Sequence, residues 1–177
     1  MTVESVEVRH VAVHDPEVRP LLDDLRHEYT RRYGPNQELG RYPGEQFTPA
    51  RGGAFLILVE DGETVAGGAF RRYDGETAEL KRIWTHPGHR RRGLGLAVVR
   101  ELEREAVRQG YRRIYLTTGP RQPEAAGLYL ATGYTPLYDL GADPETVGPH
   151  PFEKTLSPSG KTRYERAAET QEACRSA

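Results

Sequence analysis

The sequence predicts one mixed α/β domain, with helices set into a mostly antiparallel sheet, and three observations lead there. Two apolar runs, Ala54 to Glu60 and Thr64 to Tyr73, are joined by Asp61-Gly62-Glu63, and Asp-Gly between such runs signals a hairpin. Leu94, Val98, Leu102 and Ala106 recur at helical spacing, with Val99 widening the stripe, which predicts a helix of about 16 residues. The length of 177 residues suffices for one well-buried core and is too short for two.

The elements follow in order. Val3 to Val13 alternates through Val6, Val8, Val11 and Val13 as a half-buried strand does, and opens the sheet. Asp15 is a candidate N-cap before Pro16, and Val18, Leu21, Leu22, Leu25 and Tyr29 form the stripe of a first helix ending near Gly34-Pro35. Residues 34 to 52 carry prolines at 35, 43 and 49 and show no period. Such long segments inside compact domains are often lids or binding loops, although a disordered excursion has the same composition.

After the hairpin, Asp74-Gly75 turns the chain into a strand from Glu76 to Thr85, completing an antiparallel meander. The long helix comes next and is stopped by Gly110. A strand over 112 to 118, a helix opened by Pro123, and strands near 134 to 138 and 150 to 156 complete a domain over residues 1 to 156. Residues 157 to 177 read as a polar tail, helix-friendly around Tyr164 to Ala173, that frays or docks on a partner subunit.

Composition narrows the function classes. A net charge of -1 makes no general case for nucleic acid, and the basic clusters are local. The single cysteine, Cys174, excludes an internal disulfide framework and a cysteine metal cage, and points to a reduced compartment. No apolar run approaches the ~20 residues of a membrane span, and M-T-V-E-S-V-E lacks the regions of a signal peptide. The expectation is a cytoplasmic protein without membrane or nucleic-acid partners.

The densest signal is His89 to Gly95, H-R-R-R-G-L-G, at the start of the long helix. Each helical glycine costs roughly 1 kcal/mol against alanine, so Gly93 and Gly95 in one turn need a reason beyond helix formation. Close backbone approach of an anion is one, because a helix start presents unpaired N–H groups and the positive end of the dipole. A glycine-relieved turn beside a solvated basic run would read the same. The P-loop pattern fails for want of a lysine and hydroxyl after Gly95, and the dinucleotide fingerprint fails because Val98 stands where its third glycine belongs.

What remains is [QR]-x-x-G-x-[GA] at Arg90, Gly93 and Gly95, after the strand-like run Ala78 to Thr85. This resembles the acyl-CoA loop of the Gcn5-related N-acetyltransferases, the GNAT family. The resemblance continues in Ile114-Tyr-Leu-Thr-Thr118 and in Glu124-Ala-Ala-Gly-Leu-Tyr-Leu-Ala-Thr-Gly-Tyr134, and covers roughly residues 53 to 156, with core motifs over 76 to 138. It implies a GNAT fold, a twisted, mostly antiparallel sheet of six to seven strands flanked by about four helices. It also implies acetyl-CoA as cosubstrate, no metal, a homodimer, and substrate selection by the region over 34 to 52.

Acetyl transfer sets the roles to be filled. An amine of pKa ~10.4 is protonated about 2500 to 1 at pH 7, so exposing its lone pair costs ~4.6 kcal/mol before any bond forms. A base lowers that obstacle, the thioester carbonyl needs polarising, and the leaving thiolate needs a proton donor. By the resemblance, Glu79 is the general base and Tyr129, in A-x-x-L-Y, the general acid. A carboxylate of ordinary pKa near ~4.3 accepts an amine proton poorly, so the base role requires burial or a water relay. Strand alternation also sets Lys81 on the face of Glu79, which reads equally as a surface pair. Tyr129 reads otherwise as a core aromatic, and Tyr134 as one more simply.

The resemblance sets main-chain groups of Ile83, Trp84 and Thr85, beside a β-bulge, on the pantetheine arm and thioester. It lays the pyrophosphate across Arg91, Arg92, Gly93, Leu94, Gly95 and Leu96, with Arg90 at the first motif position. Other candidates weigh less. His86-Pro-Gly-His89 lacks a completing metal ligand, and no G-x-S-x-G elbow occurs. Arg71, Arg72 and Arg82 flank the expected cleft and could bind a substrate carboxylate, though arginines at strand ends are usually exposed. The reading is an N-acetyltransferase acting on a small-molecule amine by direct attack in a ternary complex. Its rivals are acetylation of a protein N-terminus or lysine, a non-catalytic acyl-CoA sensor that would need neither Glu79 nor Tyr129, and a basic nucleic-acid module.

Overall fold

The computed structural model describes residues 5 to 157. The expected strand start at Val3 and, Ser157 apart, the tail over 157 to 177 with Cys174 lie outside the described residues. The elements are β1 (Glu7–His10), α1 (Arg19–Tyr33), β2 (Ala54–Glu60), β3 (Glu63–Arg72), β4 (Thr77–Thr85), α2 (Leu94–Arg108), β5 (Arg113–Thr118), α3 (Pro123–Ala131), β6 (Thr135–Pro136), α4 (Pro144–Val147) and β7 (His150–Thr155). One sheet runs in the order β1-β2-β3-β4-β5-β7-β6. Among the described residues only β4 and β5 pair in parallel. Seven strands and four α-helices among the described residues agree with the fold expected from the sequence.

Each helix covers one face. Leu94, Val98, Val99, Leu102 and Ala106 of α2 are buried against Leu56, Leu58, Ala66, Phe70 and Leu80. On the opposite face Val18, Leu21 and Leu25 are buried with Phe47, Phe55, Ile57, Ala69 and Trp84. Fully burying one such aliphatic side chain contributes about 1.5–3 kcal/mol, so the two stripes are what clamp the sheet. Gly67 and Gly68 of β3 let both helices approach. A Cβ on Gly67 would stand 2.7 Å from Leu21 Cδ1, and one on Gly68 would stand 3.0 Å from Val98 Cγ1.

Local chemistry sets the ends. Asp15 accepts from the Glu17 N–H at 2.9 Å to start a 3-10 turn over Pro16–Val18 that leads into α1, and Gly34 closes α1 at φ 74°. Asp61 and Gly62, at φ 49° and 79°, make the tight β2–β3 turn. Three departures from the sequence reading have local causes. β1 is only Glu7–His10, and Val8 is 39% exposed, because beyond Val11 the chain turns over Ala12 to Asp15. β6 stops at Pro136: the Leu137 N–H still donates to Pro151 O at 2.9 Å, but Pro151 has no N–H to return the bond. The period-free stretch after α1 is ordered into 3-10 turns over Glu38–Gly40, Gly44–Phe47 and Pro49–Arg51, with Phe47 as its buried anchor. The short α4, capped by Asp143, was not expected.

Candidate active site

The sheet is split at its centre. β4 and β5 pair only through Thr77↔Arg113, Ala78↔Ile114 and Glu79↔Tyr115, while β5 continues on β7 as far as Thr118↔His150. From Leu80 to Thr85, β4 is laddered on β3 alone, so its main-chain groups on the β5 side have no strand to meet.

A bulge lies within this edge. Gly67 faces Trp84 and Ala69 faces Lys81, leaving Gly68 opposite both Arg82 and Ile83. Arg82 adopts φ 60°, a left-handed conformation costing roughly 1–2 kcal/mol for a residue with a Cβ. The extra residue shifts the side-chain phase. Ala78 and Leu80 face α2 before the bulge and Ile83 does so after it, whereas Trp84 joins the α1 cluster. Its indole Nε1–H donates to Asp24 Oδ2 at 2.6 Å. The Trp84 side chain is thus committed to the α1 side.

The edge runs into the start of α2. Gly93, at φ 75°, is its N-cap and supplies no side-chain cap, so the first-turn N–H groups have no intrahelical acceptor. The missing Cβ of Gly95 points between Leu128 Cδ2 of α3 and Thr85 Oγ1, at 3.4 and 3.6 Å. The three arginines divide. Arg90 reaches Glu28 of α1 at 3.3 Å, and Arg92 grips both oxygens of Glu60 at 2.6 and 2.8 Å. That grip holds the Glu60 carboxyl below the usual carboxylate range. Arg91, at φ 62°, makes no ion pair among the described residues. At the other side of the split, Thr118 Oγ1 is buried without a hydrogen-bond partner among the described residues.

Glu79 is 5% exposed, which removes the reading of a surface pair. Its Oε1 accepts from Arg71 Nη1 at 3.0 Å and lies 3.6 Å from Lys81 Nζ. Oε2 makes no hydrogen bond among the described residues. The Tyr42 ring, from the ordered loop, lies 4.7 Å from the Arg71 guanidinium and 4.5 Å from Lys81 Nζ. Arg71 Nε also donates to Gln46 Oε1, so cations of β3 and β4 hold the loop over this face. Arg72 is exposed.

Tyr129 is 5% exposed, and its ring meets Tyr134 and Phe152 at 5.4 and 5.8 Å. Its hydroxyl makes no hydrogen bond among the described residues, whereas Tyr134 donates to Glu103 Oε1 at 2.9 Å. Burial pushes the Tyr129 phenol well above its ordinary value, reinforced by the charge Tyr29 would carry. Burial also pushes Tyr29 of α1 up to about 12. Tyr29 is thus within electrostatic reach of Tyr129, and its place in an apolar stripe concealed this in the sequence. Glu28, Tyr42 and Thr118 were likewise not singled out. His86 Nδ1 accepts from the Gly88 N–H, and among the described residues no group of three His, Cys, Asp or Glu could hold a metal.

Known proteins share this architecture. The chain is 33% identical over 93 residues to an uncharacterized N-acetyltransferase, YsnE, of Bacillus subtilis (strain 168), a match over 49% of this chain and 62% of that relative's length. An acetyltransferase from Streptococcus agalactiae superposes with a TM-score of 0.69 at 20% identity, over 85% of this chain and 98% of the other. The PaiA N-acetyltransferase of Thermoplasma acidophilum, solved in complex with coenzyme A, gives 0.64 at 17% identity, over 86% and 99%. At these identities the structural likeness is one of fold. The profile of the acetyltransferase (GNAT) family matches residues 20–134, and the chain belongs to that family.

Proposed function

We propose that this protein transfers an acetyl group from acetyl-CoA to a primary amine of a small molecule, by direct attack with both bound. The split beside the bulge carries the reading: an unladdered edge of β4 ends at a glycine-opened helix start. A pantetheine arm, rich in amides, can pair along such an edge as an added strand does, and a pyrophosphate suits the N–H groups beyond it. Thr118 Oγ1 supports the fit, since a buried hydroxyl nearly always has a partner and this one is left for a ligand.

Bound acetyl-CoA supplies an acetyl group activated as a thioester. On this reading the N–H groups of Leu94, Gly95 and Leu96 bind the pyrophosphate. Arg91 is the arginine left to neutralise it, because Arg92 and Arg90 are drawn toward Glu60 and Glu28. A main-chain N–H between Ile83 and Thr85, on the side away from β3, polarises the carbonyl. Glu79 takes the ammonium proton at Oε2 through water, while Arg71 and Lys81 fix Oε1. Tyr129 stays protonated and donates to the departing thiolate; with its acidity so reduced, it acts mainly as a hydrogen-bond donor.

The test is thiol release from acetyl-CoA against pooled amino acids, polyamines, aminoglycoside-like amines and peptides, in wild type, Tyr129→Phe and Glu79→Gln. Turnover in one small-molecule pool, reduced about ten-fold or more in both variants, is expected. Release with peptides alone would replace the small-molecule reading. Acetyl-CoA binding without release in any pool would favour a sensor.

A further inference from the structure

On the α1 side of β4 lies a groove of about 450 Å³, bounded by Val13, Leu22, Leu39, Tyr42 and Arg82. It opens between α1 and the ordered loop, on the face that carries Glu79. Val13, Leu22, Leu39 and Tyr42 are partly buried hydrophobics packed around the α1-side core, so much of the wall is apolar.

Arg26, Asn36 and Gln37 line the groove as well, and Arg82 is its half-buried cation. Arg82 leaves β4 at the bulge, its Nη2 donates to Leu39 O at 2.7 Å, and its guanidinium lies 4.5 Å from the Phe47 ring. Neighbouring cations have carboxylates: Arg26 has Asp23, Arg71 has Glu79, and Lys81 has Glu79 and Glu38. Arg82 has none within ion-pair distance among the described residues, although it is half-buried. Burial holds its guanidinium below the ordinary arginine value. A partly desolvated cation with no carboxylate in contact is unfavourable; Glu38 acts on Arg82 only from beyond ion-pair distance and is shared with Lys81 and Arg41, and Arg82 borders an open groove. One charge without a carboxylate in contact matches a monoanion, and the Nη2 N–H not given to Leu39 O still makes, with Nε or Nη1, the planar two-donor fork that suits a carboxylate.

We propose that the acceptor is an amino carboxylate with an apolar side chain, its carboxylate on Arg82 and its apolar part against Val13, Leu22 and Leu39. The proposal rests on the acetyltransferase reading and narrows the acceptor class.

The test is calorimetric titration of the CoA-loaded protein with L-leucine, L-methionine and L-phenylalanine, each beside the amine lacking its carboxylate. At least one amino acid should bind about ten-fold or more tightly than its amine, the loss expected for a hydrogen bond to a charged group. Arg82→Gln should bring acid and amine level, and Arg82→Lys should restore part of the preference. A merely loosened loop would weaken acid and amine alike and leave their ratio. Equal binding of acid and amine by wild type, no binding of any amino acid, or a preference that survives in Arg82→Gln would overturn the proposal. The readout is binding, so an inactive enzyme with the preference intact would sink the transfer reading alone.

Discussion

Gly95 should trade stability for donor binding. A methyl added there meets Leu128 Cδ2 at 3.4 Å and Thr85 Oγ1 at 3.6 Å, ordinary contact distances, and the residue lies in the first turn of a regular helix. Gly95→Ala therefore fits without strain and should gain up to about 1 kcal/mol in helix propensity. For a chain of this size that raises Tm by about 2–4 °C. The same methyl narrows the passage between Thr85 and α3 where the pyrophosphate is proposed to lie. Losing one hydrogen bond to a charged group costs about 1.5–3 kcal/mol, so acetyl-CoA affinity should fall about ten- to hundred-fold. Calorimetric melting without ligand, beside titration with acetyl-CoA, reads both. A variant that melts higher and binds acetyl-CoA as wild type does would refute the cradle, and one that melts lower would refute the packing argument. Gly93→Ala is the contrast: its methyl meets nothing within 4 Å, but at φ 75° a Cβ should cost roughly 1–2 kcal/mol of stability.

The remaining expectations concern pH and the single tryptophan. Burial raises Tyr129, and raises Tyr29 to about 12, so the folded protein keeps both phenols neutral where the unfolded chain begins to lose protons. Their contribution to stability is whole below the ordinary phenol value near ~10 and is lost as pH rises through the folded values. Turnover should thus show no Tyr129-dependent alkaline inflection near pH ~10; one present in wild type and absent in Tyr129→Phe would contradict this. Asp24→Ala leaves the buried Trp84 Nε1–H without its acceptor and should cost about 1–3 kcal/mol, whereas Asp24→Asn keeps an acceptor and should recover most of it, as read from urea unfolding.

The hairpin, the long helix and the glycine pair were legible because each rests on local letters: Asp61-Gly62, the Leu94 to Ala106 stripe, and Gly93-x-Gly95. The bulge came only with the family resemblance, because no sequence letter requires Arg82 rather than glycine to adopt φ 60°. Its consequence for Trp84 could not be read, since period two carried past a bulge gives the wrong face. The Glu79–Lys81 pair followed from alternation, but its burial depends on Arg71 of β3 and on Tyr42 of a loop whose letters show no period. The sorting of the arginines is the longest-range case. Glu28 and Glu60 meet Arg90 and Arg92 only when α1 and β2 close around the loop, and nothing near either glutamate announces it.

The central claim is that the donor lies along the unladdered edge of β4 and the first turn of α2. Amide hydrogen exchange with and without acetyl-CoA tests it most directly, because the N–H groups of that edge on the β5 side and those of the first helical turn have no partner in a ladder or a helix. The account predicts slowed exchange over Ile83 to Thr85 and over Leu94 to Leu96 together. Slowing confined to the groove beside Arg82, or no change at either stretch under saturating acetyl-CoA, would contradict it.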